Sequence, residues 1–395
     1  MPGHYKNHLN TSHLIQLYCS ECNRSFNPDQ IQTYCPKCNS PLLCEYNLES
    51  IKNTVDRDSI RHRKKGIWRW SELLPVCNPK YRIFLGEGDT PLIPLKRSGN
   101  YFGLTRLYLK DEGLNPTGSF KARGLAVAVS KAKELGINKL IIPTAGNAGG
   151  AMAAYAAHAD MQACVYMPID TPAVNVQECV SMGAEVNFVD GTISDAALKV
   201  VERAKIENWF DVSTFKEPYR VEGKKSIGLE IAESFKWKLP DTIIYPTGGG
   251  TGLIAMWKAF KELAALGWIE DRKMPRMIVV QAEGCAPVVK AFSAGEKKCQ
   301  FWENAETLAS GLRVPKSFAD RLILSTISES NGLALAVSDK EIIDAQRTLG
   351  YQEGILASPE GAATFAALFR LKKLGKINSD ENIVIYNTAS GMKYL

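Results

Sequence analysis

Histidine is scarce in this chain. There are five in 395 residues, and four of them (His4, His8, His13 and His62) fall in the first 62. The body keeps only His158. This distribution argues against Ser-His-Asp and Cys-His hydrolases and against a histidine metal site in the body. Long apolar runs are also missing. The longest uncharged stretch, residues 140–159, carries Pro143, Thr144, Asn147 and several glycines near its start. It reads as a strand, a turn and an Ala-rich buried helix, not a membrane span. The apolar fragment at 14–18, preceded by His4, Lys6 and His8, is no signal-peptide core. The expectation is a cytoplasmic protein with no membrane partner. Strong charge is lacking too. A net +6 suits small anionic ligands such as phosphate esters and does not require nucleic acid. The one basic run, RHRKK at 61–65, reads as a solvated connector.

Ordinary soluble composition remains, with 45% hydrophobic and 23% charged residues, enough for two core domains and a small appendage. Cysteine is plentiful, and five of the ten fall between positions 19 and 44. Cys19, Cys22, Cys35 and Cys38 form two C-x2-C knuckles separated by twelve residues. That spacing brings four thiolates within tetrahedral reach of one zinc and predicts a zinc ribbon. Four cysteines leave no open metal position, so the expected role is structural: the ion folds a segment too short to make its own core. Cys44 is a spare or alternative ligand. The intervening loop has Arg24 as its only cation, which argues against nucleic-acid binding. Cys77, Cys164, Cys179, Cys285 and Cys299 show no motif.

From residue 107 onward, short apolar runs alternate with Gly-rich or polar turns and helix-period segments. The runs include 107–110, 139–146, 163–168, 185–191, 241–250, 276–284 and 382–391. This rhythm predicts α/β architecture with two open, mainly parallel sheets, whose ligands bind at the carboxyl ends of the strands. The expected divisions are a zinc-ribbon segment at 1–46 and a connector at 47–106. A smaller α/β domain follows at 107–215, carrying Lys121 and Asn147, and a larger one at 216–395. In the connector, Trp68, Leu73 and Leu74 suggest a short docking helix, and 84–95 a loop with a short strand. Asp195 is the expected N-cap of a helix over 195–209.

Four turns sit at these strand ends. Residues 115–121 lead into a helix with Lys121 in its first turn. The helix dipole disfavours a cation there, which helps hold an amine neutral and nucleophilic. A solvated surface lysine is the plainer alternative. Gly248, Gly249, Gly250, Thr251 and Gly252 join a strand to a helix, so that converging N–H groups and the helix N-terminus form a phosphate cup. It is neither a Walker loop nor a GxGxxG turn. Asn147 caps a helix or bonds a phenolic oxygen, and Thr388 caps or meets a ring nitrogen. An amine, a phosphate cup, an amide and a hydroxyl at the strand ends of one α/β protein point together to pyridoxal phosphate.

These segments carry a resemblance. LKDEGLNPTGSFKARG, TAGNAGGAMAAYAA, KEPYRVEGKKSIGLEIAE, PTGGGTGLIAMWKAF, ASGLRVP and NTASGMKY are similar to those of the threonine synthase family of fold-type II pyridoxal phosphate enzymes. The resemblance runs from about residue 84 to the end, and an N-terminal zinc ribbon occurs in some members. It implies a tryptophan synthase β-like fold, with the cofactor on Lys121, its ring held by Asn147 and Thr388, and its phosphate at 248–252. It also implies that Arg220 contacts the substrate phosphate and that Thr117 and Ser119 line the site. The implied reaction converts O-phospho-L-homoserine and water to L-threonine and phosphate. Ala122 and Ala389 depart from the commonest family pattern. A cysteate-synthase-like reaction on phosphoserine, a serine/threonine ammonia-lyase, and a non-catalytic zinc-ribbon protein with a cofactor pocket are the alternatives. A homodimer is left open.

Overall fold

The computed structural model describes residues 12–270 and 273–395. His4, Lys6 and His8 lie outside the described residues. Three strands build the N-terminal sheet: β1 (Leu14–Cys19), β2 (Ser25–Phe26) and β3 (Leu42–Tyr46), in the order β2-β1-β3 and antiparallel. Next come β4 (Leu92–Pro94) and β5 (Leu107–Asp111), then β6 (Lys139–Pro143), β7 (Gln162–Pro168), β8 (Glu185–Val189) and β9 (Phe210–Asp211). The remainder are β10 (Thr242–Pro246), β11 (Arg276–Ala282), β12 (Leu333–Val337) and β13 (Ile383–Asn387). A four-stranded parallel sheet runs β8-β7-β6-β9, and a six-stranded one runs β12-β11-β10-β13-β5-β4, parallel except for the edge strand β4.

One expected boundary is corrected. β5 pairs with β13 in register from Leu107↔Ile383 to Asp111↔Asn387, so it belongs to the larger sheet. The smaller sheet therefore begins at Lys139, not at residue 107. Pairing between strands so distant in sequence leaves no local mark. β10 and β13 are buried along their whole lengths, as parallel strands covered on both faces require.

The predicted helix at 195–209 is Ile193–Glu207, and its cap is Thr192 rather than Asp195. Asp195 sits three residues later and closes a capping box, bonding back to the Thr192 N–H at 2.7 Å. The connector carries a short 3-10 segment, Ile67–Leu73, that buries Ile67, Trp70 and Leu73 against the body. Trp68 is half-buried there and donates its indole N–H to the Ile83 carbonyl at 2.9 Å.

The helix Lys121–Glu134 packs on the helix Arg220–Ser234, and a buried charge cluster fixes their register. Arg123 bonds Glu112 at 2.6 Å and Glu230 at 2.6 Å, and Lys110 bonds Glu230 at 2.8 Å, all essentially without solvent contact. The ribbon docks on the larger unit beside Phe318 and Arg321. Tyr34 meets Phe318 edge-on at 5.6 Å, and Arg321 pairs with Glu21 at 2.5 Å.

Candidate active site

A cavity of about 380 Å³ opens between the two larger sheets, at the carboxyl ends of β6, β10 and β13. All four predicted turns reach it. Lys121, Asn147, the 248–252 turn and Thr388 are in its lining. The stretch 115–121 arrives there because β5 delivers it beside β13. The Phe120 N–H donates to the Thr388 carbonyl at 3.0 Å, and Ser119 bridges Ala389.

Lys121 is the first residue of its helix, and its Nζ lies 4.1 Å from the Phe120 ring centre. Burial, then the positive charge of Arg220, lower it from 10.5 to about 8, with Glu360 opposing and Lys393 adding to the fall. The amine is therefore partly uncharged near neutrality. In the cup, Gly250 has φ 79°, a left-handed conformation that favours glycine. A Cβ at Gly248 would run into the Gly311 carbonyl, and one at Gly252 into the Tyr245 hydroxyl. Beneath the cup, the buried Lys224 donates to the Thr251 hydroxyl at 2.7 Å. Burial, with Arg220 and Lys121 nearby, holds Lys224 well below its ordinary range.

Asn147 is only half committed. Its Nδ2 donates to the Tyr394 hydroxyl at 3.0 Å, while its Oδ1 is buried with no partner among the described residues. Three other predicted residues stand back from the cavity. Arg220 is buried outside the lining. One guanidinium nitrogen donates to the Val212 carbonyl at 2.6 Å, and its Nε and Nη2 are unpartnered. The Thr117 and Ser119 hydroxyls are buried, unpartnered and likewise outside the lining. Thr117 adopts φ 61°, and its carbonyl accepts from Lys393 at 2.9 Å.

Sequence reasoning missed Glu360, Tyr394 and Lys224. Glu360 lines the cavity and accepts the Gly311 N–H at 2.7 Å. Its segment, SPEG, reads only as a helix start with Ser358 as cap. Tyr394 also lines the cavity; it closes the NTASGMKY segment but was given no role there.

Away from the cavity, the sulfurs of Cys19, Cys22, Cys35 and Cys38 all lie within 4.8 Å of one another. The closest approaches are 3.3, 3.7 and 3.8 Å. Four sulfurs placed about 2.3 Å from a zinc have edges of about 3.8 Å, so this set fits the ion. Cys44 is not part of it. Its thiol is buried under β3 and faces the Pro218 carbonyl at 3.9 Å.

The family model described as pyridoxal-phosphate dependent enzyme matches residues 83–389. The chain belongs to this family. It is 36% identical to the threonine synthase of Methanocaldococcus jannaschii over 376 residues, 95% of this chain and 92% of that one. Identity to the threonine synthase of Methanosarcina acetivorans is also 36%, over 96% of this chain and 92% of the relative. Among solved structures, maize serine racemase superposes with a TM-score of 0.66 at 21% identity, covering 76% of this chain and 88% of that one. At that identity the likeness concerns the fold. The residues present fit the family's cofactor. Positions 248 and 252 of the cup cannot take side chains, the Asn147 Nδ2 has a second proton to give beyond its bond to Tyr394, and the lysine in the lining at a helix start has a depressed pKa.

Proposed function

We propose that this pyridoxal-phosphate dependent enzyme is a threonine synthase, converting O-phospho-L-homoserine and water to L-threonine and phosphate by β,γ-elimination and hydration. The observation that carries the reading is 36% identity to threonine synthases over nearly the full length of both chains. The cavity adds chemistry of the right kind.

Lys121 would hold the carbonyl carbon of the cofactor, and the 248–252 turn with the following helix N-terminus would hold its phosphate. Asn147 bonds its ring oxygen and Thr388 its ring nitrogen. When bound, pyridoxal phosphate supplies an electron sink for charge left at the α-carbon of an amino acid. Once the substrate's amine has taken its place and set it free, the Lys121 amine would be the base for the Cα proton, and burial with Arg220 nearby keeps that free amine at about 8. Arg220 is the cation for the substrate phosphate. Its two unpartnered nitrogens offer a permanent charge and free donors to an anion. Thr117 and Ser119 have free hydroxyls and complete the substrate side.

The four thiolates hold a structural zinc with no open position. None of the ten cysteines is in a disulfide. No helix among the described residues is long and apolar enough to cross a membrane.

The test offers the purified protein phosphohomoserine, phosphoserine with sulfite, and threonine. Phosphate release with threonine formation from the first alone is the expected result. Oxoacid formation from threonine as the dominant activity overturns it.

A further inference from the structure

Tyr394 has no part in the reading above, yet it lies at the centre of the cavity's polar contacts. Its hydroxyl accepts the Asn147 Nδ2–H at 3.0 Å. It lies in the cavity lining together with Glu360. The Glu360 carboxylate is itself fixed from behind by the Gly311 N–H at 2.7 Å, and its second oxygen lacks a partner. A short 3-10 turn, Gly391–Tyr394, carries Tyr394. Its neighbour Lys393 anchors that turn by bonding the Thr117 carbonyl at 2.9 Å and Glu178 at 2.7 Å. Tyr394 is thus held from outside the cavity and points a hydroxyl into it.

We propose that Tyr394 is a positioning residue for the cofactor, fixing the orientation of the Asn147 amide through the bond its hydroxyl accepts. The inference rests on the reading of Asn147 as the partner of the cofactor's ring oxygen. An amide on a helix's first residue can present either end to a ligand, because half a turn exchanges its N–H2 and its carbonyl. A phenolic oxygen that has lost its proton accepts bonds only, so just one of the two orientations is productive. The Tyr394 hydroxyl takes one of the two Nδ2 protons and leaves the other for the ligand. A hydroxyl that accepts one bond still has its own proton to give, and Glu360 is the carboxylate beside it. Burial and that carboxylate hold the phenol well above its ordinary range, so Tyr394 keeps its proton at working pH. Lys121 is the other titratable group in the lining near these residues, and Lys393 faces them from behind.

The test uses the cofactor-loaded full chain and reads the visible absorption band against pH. Three variants are compared with the wild type: Asn147→Ala, Tyr394→Phe, and the double variant. Tyr394→Phe keeps the ring and removes only the hydroxyl. The expected result is that both single variants move the midpoint of the band in the same direction. Tyr394→Phe should move it by roughly half a unit to one unit, the scale of one neutral hydrogen bond. The double variant should match Asn147→Ala instead of summing the two shifts. Cofactor affinity, read by quenching of tryptophan fluorescence, should fall several-fold in Tyr394→Phe. A Tyr394→Phe band that titrates as wild type while Asn147→Ala shifts overturns the inference and leaves the reading of Asn147 intact. Additive shifts also overturn it. A band unmoved in both single variants removes the role of Asn147 itself, and the inference with it.

Discussion

Lys121 and Arg123 stand two residues apart on one helix and live in opposite electrostatic worlds. Arg123 points into the layer beneath the cavity, where Glu112 and Glu230 clamp it and hold its pKa well above the usual range. Lys121 points into the cavity and is pushed down to about 8 by burial and by Arg220. The contrast extends beyond the pair. Lys258, beneath the ribbon, is braced by Glu222 and Glu262 and raised. Lys224 and Arg220, close to the cavity, form no side-chain ion pair among the described residues and are lowered by burial, with Glu217 only partly opposing the fall. Burial alone therefore does not mark the functional cations. What separates them is the missing counter-charge, which leaves each one free to pair with something that arrives from outside.

Removing the members of this comparison one at a time should give unlike losses. Lys121→Ala should lower threonine formation by roughly 10³-fold or more while leaving the melting temperature near that of the wild type. It should also abolish the borohydride-reducible visible band. A band that persists unchanged would place the cofactor on another amine. Arg123→Met should do the reverse. It leaves buried Glu112 without its cation and Glu230 with Lys110 alone, and should cost about 3–5 kcal/mol of stability in denaturant titrations, with activity following the folded fraction. Arg220→Met should leave the band in place and raise KM for the phosphorylated substrate by roughly 10–100-fold, the effect of one lost charge-assisted contact. An unchanged KM would remove Arg220 from the substrate side.

Proton linkage sharpens the same contrast. In the unfolded chain Lys121 titrates near 10.5, and in the folded chain near 8. Between those values unfolding takes up a proton, so raising pH through that window disfavours unfolding. The melting temperature of cofactor-free wild type, minus that of Lys121→Met, should rise from about pH 8 to 10.5; a flat or falling difference would contradict the depressed amine. Arg123 stays charged throughout and adds no such slope. The smallest effect is expected at the ribbon. Cys35→Ser should release the metal, measured by a chromophoric chelator, and change kcat by less than about 10-fold, since the thiolates lie outside the cavity.

Much of this was legible in the chain. The cysteine knuckles are a local spacing, so the cluster followed from sequence. The strand-and-turn rhythm located the four turns and indicated parallel sheets, because such strands are continuous apolar runs with glycine after them. The pairing of β5 with β13 was not legible. It joins segments some hundreds of residues apart, and each alone reads simply as a strand. The roles of Glu360 and of Tyr394, the last residue of NTASGMKY, were not legible, since a single carboxylate or phenol gains meaning only from what it faces. Arg220 was found by motif, but its seat behind the lining depends on how two helices pack. Thr192 took the cap from Asp195 because the Thr side chain reaches the Ser194 N–H while Asp195 reaches back. That choice depends on geometry, since both residue types favour helix starts.

The place of β13 bears on how the protein comes into being. This strand lies between β10 and β5, in the middle of the larger sheet, and Thr388 and Tyr394 follow it directly. A ribosome delivers Lys121 long before it delivers residues 383–394. Until then the sheet has a gap at its centre, and Phe120 lacks the carbonyl that receives its N–H. The nascent chain therefore carries the reactive amine without the pocket that surrounds it. β13, which emerges after the other five strands of its sheet, completes both at once.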